Sequence, residues 1–385
     1  MRFRHAAYLL IASLTTAAYA ASIPAAASQP PTWDRASAAR YMDYRQNWWM
    51  GWQPARRDQD TACISCHTAV PYAMGRPALR KSLGETRPSA PEQQMLGYII
   101  KRVNMWNRIQ PFYTDAEDGP HKTRESRGTE AVLNALVLAR YDAQNGHLSE
   151  ITRKAFDNMW TTQLQPNASS MMMNSSQMDQ VGSWEWLNFE LAPWESDVSH
   201  YYGATLAAIA VGLAPGSLPG TSYKNTPAIQ PRLRLLTDYL LRNYDAQPLS
   251  NKVVVLWASS RMPALLPSDK RTALLNQLRA SQQADGGWSL ADLGAWKRQD
   301  GAPLDRHSDG YATGLTLYAL EQSGISTSNP EMQKGLAWLT AHQDKQGLWP
   351  AWSVNKDRDV SSDVGRFMSD AATSYAVMAL ASARK

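Results

Sequence analysis

Two stretches decide the architecture: L-N-Q-L-R-A-S-Q-Q-A-D-G-G-W, residues 275–288, and K-G-L-A-W-L-T-A-H-Q-D-K-Q-G-L-W, residues 334–349. Each is followed by a small apolar run, H-S-D-G-Y-A-T-G-L-T-L-Y-A-L from His307 and S-D-A-A-T-S-Y-A-V-M-A-L from Ser369. Trp288 lies 61 residues before Trp349, Asp309 lies 61 before Asp370, and the Trp-to-Asp gap is 21 in both units. A fixed period of this kind is the mark of a repeat architecture.

Working outward, a looser copy runs from Trp160 and Gln163, through a long insertion, to G-S-W-E-W around Trp184 and S-D-V-S-H-Y-Y-G-A-T-L-A-A-I-A from Ser196. A weaker one is R-G-T-E-A-V-L-N-A-L-V-L-A, residues 127–139. Each unit reads as two helices. The first is amphipathic and is introduced, in the last unit, by an Asn329-Pro330 start signal. The second is apolar on most faces and is therefore expected to be buried. No strand alternation stands out, so the fold class is all-α. The M-M-M-N-S-S-Q-M run at Met171 reads as a flexible insertion.

The Q-x-x-D-G-G-W segment ending at Trp288 and the K-G-x-x-W-L-x-x-x-Q-x-x-x-G-x-W segment ending at Trp349 resemble the QW repeats of squalene-hopene cyclases. The resemblance is clear over the C-terminal third and loose over the middle. It implies an α/α toroid in which Gln283, Trp288, Gln343 and Trp349 tie outer helices to connecting turns. The departures limit what else carries over. Those cyclases have two helical domains and a D-x-D-D acid motif; here D-R-D-V-S-S-D, residues 357–363, has the wrong spacing. Protein prenyltransferase β subunits share the toroid but bind zinc through Asp, Cys and His. Both cysteines here are committed to one tight motif.

That motif is Cys63-Ile-Ser-Cys66-His67. C-x-x-C-H is the attachment signature of haem c: two thiols add to the two vinyl groups, and the adjacent His reaches the iron as proximal ligand. A disulfide or a zinc site are the competing readings of the pair. For the distal iron ligand, Met74, Met95, Met105 and His121 are downstream candidates, with Met74 taken first. Arg56, Arg57, Arg76 and Arg80 flank the motif as propionate partners or as a solvated basic face. Trp48, Trp49 and Trp52 before the motif and T-A-V-P-Y-A-M-G-R-P-A-L after it echo the later units. This places the haem in the first unit, facing a central cavity, rather than on a separate cytochrome domain. Pro71 and Pro77 are expected to break the helix that such a domain would place there.

Export is required for this chemistry, and the N-terminus supplies it. Arg2, Arg4 and His5, a short apolar stretch and Ala18-Tyr19-Ala20 read as a signal peptide over residues 1–20, cleaved near Ala20-Ala21. The resulting division is a signal (1–20), a disordered leader (21–34), a helical segment with the haem site (35–115) and the repeat body (116–385). A periplasmic or secreted protein follows, with no membrane span. The composition is 44% hydrophobic and 19% charged, and a net charge of +5 falls to nearer +3 without Arg2 and Arg4. The basic residues are scattered, which argues against nucleic acid. Fifteen Trp against five Phe point to Trp reused at fixed positions.

Glu185, Glu195, Asp197, His200, His307, Asp309 and Asp370 are candidates to line the cavity as acid/base groups. Helix capping is the alternative for Asp309 and Asp370. Trp184, Trp186 and Trp194 form either packing or a pocket for an isoprenoid-like ligand. The leading expectation is electron transfer to a redox partner protein. Alternatives are a haem-dependent oxidoreductase or lyase acting on an apolar small molecule, and a non-catalytic haem sensor. Whether the protein is an enzyme turns on the iron's coordination.

Overall fold

Asn329 accepts hydrogen bonds from the Glu331 and Met332 amides, and Pro330 opens the helix behind it. The same two-helix grammar repeats along the chain. In the computed structural model, which describes residues 32–109, 117, 119–166 and 179–383, it builds twelve α-helices. They are α1 (Arg35–Gly51), α2 (Ala69–Ser82), α3 (Ala90–Asn104), α4 (Gly119–Asn145), α5 (Glu150–Thr161) and α6 (Ser199–Leu213). Then follow α7 (Gln230–Asn243), α8 (Leu249–Ser259), α9 (Ser268–Ala280), α10 (Gly310–Gln322), α11 (Pro330–Ala341) and α12 (Phe367–Ser382). The all-α expectation holds. The only sheet among the described residues is an antiparallel pair of two-residue strands, β1 (Arg56–Arg57) and β2 (Thr61–Ala62), directly before Cys63. The signal, the leader up to Pro31 and the Met171 run lie outside the described residues.

Burial separates odd from even helices. In α12 every residue from Met368 to Leu380 is buried, whereas α9 buries only Leu274 and Leu278. The apolar character of the even helices is the cause: they meet protein on all sides. Their contacts run α2 to α4, α4 to α6, α6 to α8, α8 to α10, α10 to α12, and α12 back to α2, a closed cycle. Residues from Thr32 onward belong to one compact unit. Residues 35–109 belong to that same unit: α1 and α2 pack on α12, at the far end of the chain.

Three turns share one set of hydrogen bonds. The indoles of Trp184, Trp288 and Trp349 are buried and donate to the carbonyls of Met159, Leu278 and Leu339 at 2.7–2.8 Å. The amides of Gln163, Gln282 and Gln343 each donate to a glycine carbonyl two residues before the Trp, on Gly182, Gly286 and Gly347. Each also donates to a carbonyl at the start of another odd-numbered helix: Arg232 in α7, Glu331 in α11 and, for Gln343, Asp34 at the start of α1. The last bond joins the C-terminal unit to the N-cap of α1, and the Asp34 amide returns one to Gln343 Oε1. Gly286 and Gly347 have φ of +94°. A Cβ on Gly347 would lie 2.3 Å from the Ser37 carbonyl carbon, so the turn needs glycine both for its backbone and for its approach.

Two expectations are corrected. The glutamine equivalent to Gln343 is Gln282, not Gln283, which instead donates to Asp292 and the Arg306 carbonyl. And α2 runs unbroken through Pro71 and Pro77. Pro71 falls in the first turn, where its missing N–H costs nothing, and Pro77 removes one bond from a helix held by α4 and α12 on either side. Among the described residues, no helix is long and apolar enough to cross a membrane.

Candidate functional site

Residues 63–67 form the short link between β2 and α2. The Cys63 amide donates to the Ala55 carbonyl, and the Cys63 carbonyl accepts from the Trp49 indole at 2.7 Å. Ser65 Oγ then accepts the amides of Thr68 and Ala69. The two thiols are unbridged, Cys66 buried and Cys63 half-buried. Burial raises both thiol pKa values, so both are neutral. Among the described residues no three His, Cys, Asp or Glu side chains converge as a metal cage, Cys63, Cys66 and His67 included.

His67 is packed in an aromatic box. Phe367 stacks on its ring at 3.8 Å between centroids, Trp49 meets it edge-on at 4.8 Å, and Trp194 is tilted at 5.9 Å. Its Nδ1 lies 2.9 Å from Thr68 Oγ1. Burial, with Arg45 and Arg358 nearby, pushes its pKa down to about 3, so the imidazole is neutral. Thr68 Oγ1 donates to Asp370 Oδ2 at 2.7 Å. Asp370 in turn accepts from Tyr41 and, through both oxygens, from Arg45. Arg45 is 1% exposed and also holds Asp363 at 2.7 Å.

His67 lines a cavity of about 230 Å³. Its apolar wall is Leu191, Trp194, Val364, Phe367 and Met368; its polar groups are Glu195, Ser353, Asn355 and Arg358. The loop bearing Trp194 and Glu195 is pinned to the opposite wall by Asn355, which donates to the Ala192 carbonyl. Burial pushes the Glu195 carboxyl up to about 7, offset in part by Lys122. Among the described residues Arg358 hydrogen-bonds Asn355, at 3.2 Å, and has no ion-pair partner.

The other predicted residues sort clearly. Met74 and Met95 are buried in α2 and α3 and do not line this cavity, and Met105 ends α3; the methionine that does line it is Met368. His121 pairs with Glu125. Arg76 is held by Asp43 and Glu85, and Arg80 by Glu92, and neither these nor Arg56 and Arg57 line the cavity; the arginine that does is Arg358, within the D-R-D-V-S-S-D string. Of the seven acid and His candidates only Glu195 reaches the cavity. Glu185 does not line it. His200 bonds the Trp184 carbonyl, Asp197 accepts from Asn188, and His307 pairs with Asp305 on the surface. Asp309 caps α10, accepting from Ala312 and also from Leu290. Asp370 caps nothing. Trp184 and Trp186 are packing, each indole bonded to a backbone carbonyl, and only Trp194 faces the cavity.

The donor types, two thiols and an imidazole, are those a covalent haem takes. Neither thiol lines the cavity at His67, however, and Cys63 borders a separate small cleft with Ser126, Thr129 and Glu130. His67 is neutral, with Nδ1 occupied and its ring at a cavity wall, and two free thiols precede it by four and one residues. The space, about 230 Å³, is smaller than the roughly 300–1,000 Å³ usual for ligand pockets. No family model matches the chain, and no characterised protein matches it significantly.

Proposed function

We propose that this chain is an exported protein with one covalent haem c, joined to Cys63 and Cys66 and ligated by His67, and that it works in electron transfer with a redox partner. The helix cycle is read as the α/α toroid that QW-type repeats imply. The observation that carries the proposal is the state of His67: a neutral imidazole with one nitrogen bonded, set at a cavity wall, with two unbridged thiols four and one residues before it in the chain. A haem bound there supplies a one-electron couple. The chain's own part is to orient the imidazole, to keep water away with Trp49, Trp194 and Phe367, and to offer Arg358 and Asn355 to carboxylates.

A second reading is supported by Glu195 and Arg358. Both line one cavity, and among the described residues neither has an ion-pair partner. An acid poised near 7 in an apolar cavity suits proton transfer to a small apolar substrate.

The test is a haem stain of the denatured protein, made together with a c-type maturation system. The expected result is one covalent haem, lost in C63A and C66A. A wild-type chain without covalent haem overturns the reading. The spectrum of the reduced form then separates the two uses: two protein axial ligands fit electron transfer, and an open sixth position fits cavity chemistry.

A further inference from the structure

Thr68 stands at the N-cap of α2, yet its hydroxyl caps no amide of that helix. It bridges instead. The distances are 2.7 Å to Asp370 Oδ2 and 2.9 Å to His67 Nδ1. A hydroxyl has one proton to give. Both Asp370 oxygens already accept from donors that can only donate to them, Arg45 Nε at 2.7 Å and Arg45 Nη2 at 3.0 Å, with Tyr41 O–H at 2.8 Å. Burial raises the pKa of the Asp370 carboxyl, but two Arg45 N–H groups, which cannot accept, sit on its two oxygens, so Asp370 accepts and the Thr68 proton goes to it. The remaining bond has a fixed polarity: His67 Nδ1–H donates to Thr68 Oγ1, and Nε2 keeps its lone pair.

We infer that Thr68 and Asp370, seated by Arg45, are positioning residues that lock His67 in the Nδ1–H tautomer and strengthen Nε2 as a donor. The redox consequence rests on the haem reading; the tautomer does not. A histidine ligand held through its second nitrogen by a carboxylate is fixed in orientation and made more basic. Here the carboxylate acts through one intervening hydroxyl. Its charge is offset by Arg45, which is itself anchored to Asp363 and to the Asp363 carbonyl. The relay spans the chain, with Arg45 from α1, Thr68 from the start of α2 and Asp370 from α12.

The experiment uses T68V, which removes the hydroxyl and keeps the shape, and T68S, which restores it. Nitrogen-resolved NMR of the imidazoles reads the tautomer of His67, assigned by its loss in H67A, on the chain without haem. Redox titration reads the midpoint potential of the haem-loaded protein. The wild type and T68S are expected to share the Nδ1–H tautomer and one potential. T68V is expected to lose the single tautomer and to show a higher potential, because a weaker donor favours the reduced iron. A T68V chain with wild-type tautomer, or with wild-type potential once loaded, overturns the relay. If no variant takes up haem, the haem reading fails and the tautomer alone decides the inference.

Discussion

The last two repeat units differ by one turn of helix. In the earlier one, α10 begins at Gly310; in the later, α12 begins at Phe367, four residues before the position that the 61-residue period assigns. The hydrogen bonds register a slip of one residue from the 61-residue period. Leu290 donates to Asp309 in the first unit, and its counterpart Ala351 donates to Ser369 in the second. Thr313 accepts the Trp288 amide, and Thr373 accepts that of Trp349. Ser369, not Asp370, thus stands where Asp309 stands. Asp370 is released from capping and turned toward Arg45 and Thr68. The comparison shows how a repeat acquires a site: the frame keeps its own bonds, and a displaced residue serves the neighbouring motif.

The sharpest way to break this comparison is to delete each aspartate. Asp309→Ala removes a cap and is expected to cost about 0.5–2 kcal/mol. Asp370→Ala takes a partner from a buried arginine, for which about 3–5 kcal/mol is usual. Arg45 retains Asp363, so the lower end, about 3 kcal/mol, is expected. Urea unfolding of both variants measures the gap. Equal costs would mean that the two aspartates have the same structural role.

A second, smaller effect sharpens the comparison through pH. Burial pushes the Asp309 carboxyl up to about 7, against 3.8 for an ordinary aspartate. A carboxyl raised on folding lends stability that is fully present below pH 3.8 and lost as pH rises through 7. Asp309→Asn cannot titrate, so its cost relative to wild type is expected to shrink steadily between about pH 4 and 8. Unfolding midpoints of the two chains at pH 5 and pH 8 test the sign. A cost that grows with pH would place the carboxylate, not the acid, in the native cap.

Much of this was legible in the sequence, and the failures have physical causes. The period found Trp288 and Trp349 because a buried indole with a bonded N–H tolerates little else. It misassigned Asp370 because the hydrogen-bonding equivalents in the two units lie 60 residues apart, one fewer than the Trp period, so Ser369 takes the place of Asp309. Pro71 and Pro77 misled because packing on both sides of α2 outweighs one missing bond. Cys63, Cys66 and His67 were readable as a local motif. The support of His67 was not, since Thr68 and Asp370 are 302 residues apart. Glu195 was one of seven acid and His candidates, and only folding distinguishes the one that reaches the cavity.

The smallest effect concerns two adjacent identical residues, Gln282 and Gln283, of which the sequence favoured the wrong one. Gln282 spends its amide on the Gly286 and Glu331 carbonyls and so joins the turn to α11. Gln283 reaches Asp292 and the Arg306 carbonyl across an exposed loop. Each net bond is worth about 0.5–1.5 kcal/mol when protected from water, and less at the surface. Gln282→Ala is therefore expected to cost about 1–2 kcal/mol and Gln283→Ala about 0.5 kcal/mol or less. Gln343→Ala, which cuts the bonds to Asp34, is expected to match Gln282→Ala if the closing contact obeys the same rule as the internal one. A clearly larger loss for Gln343 would show that the junction between the two ends of the chain contributes more than an ordinary turn in the cycle.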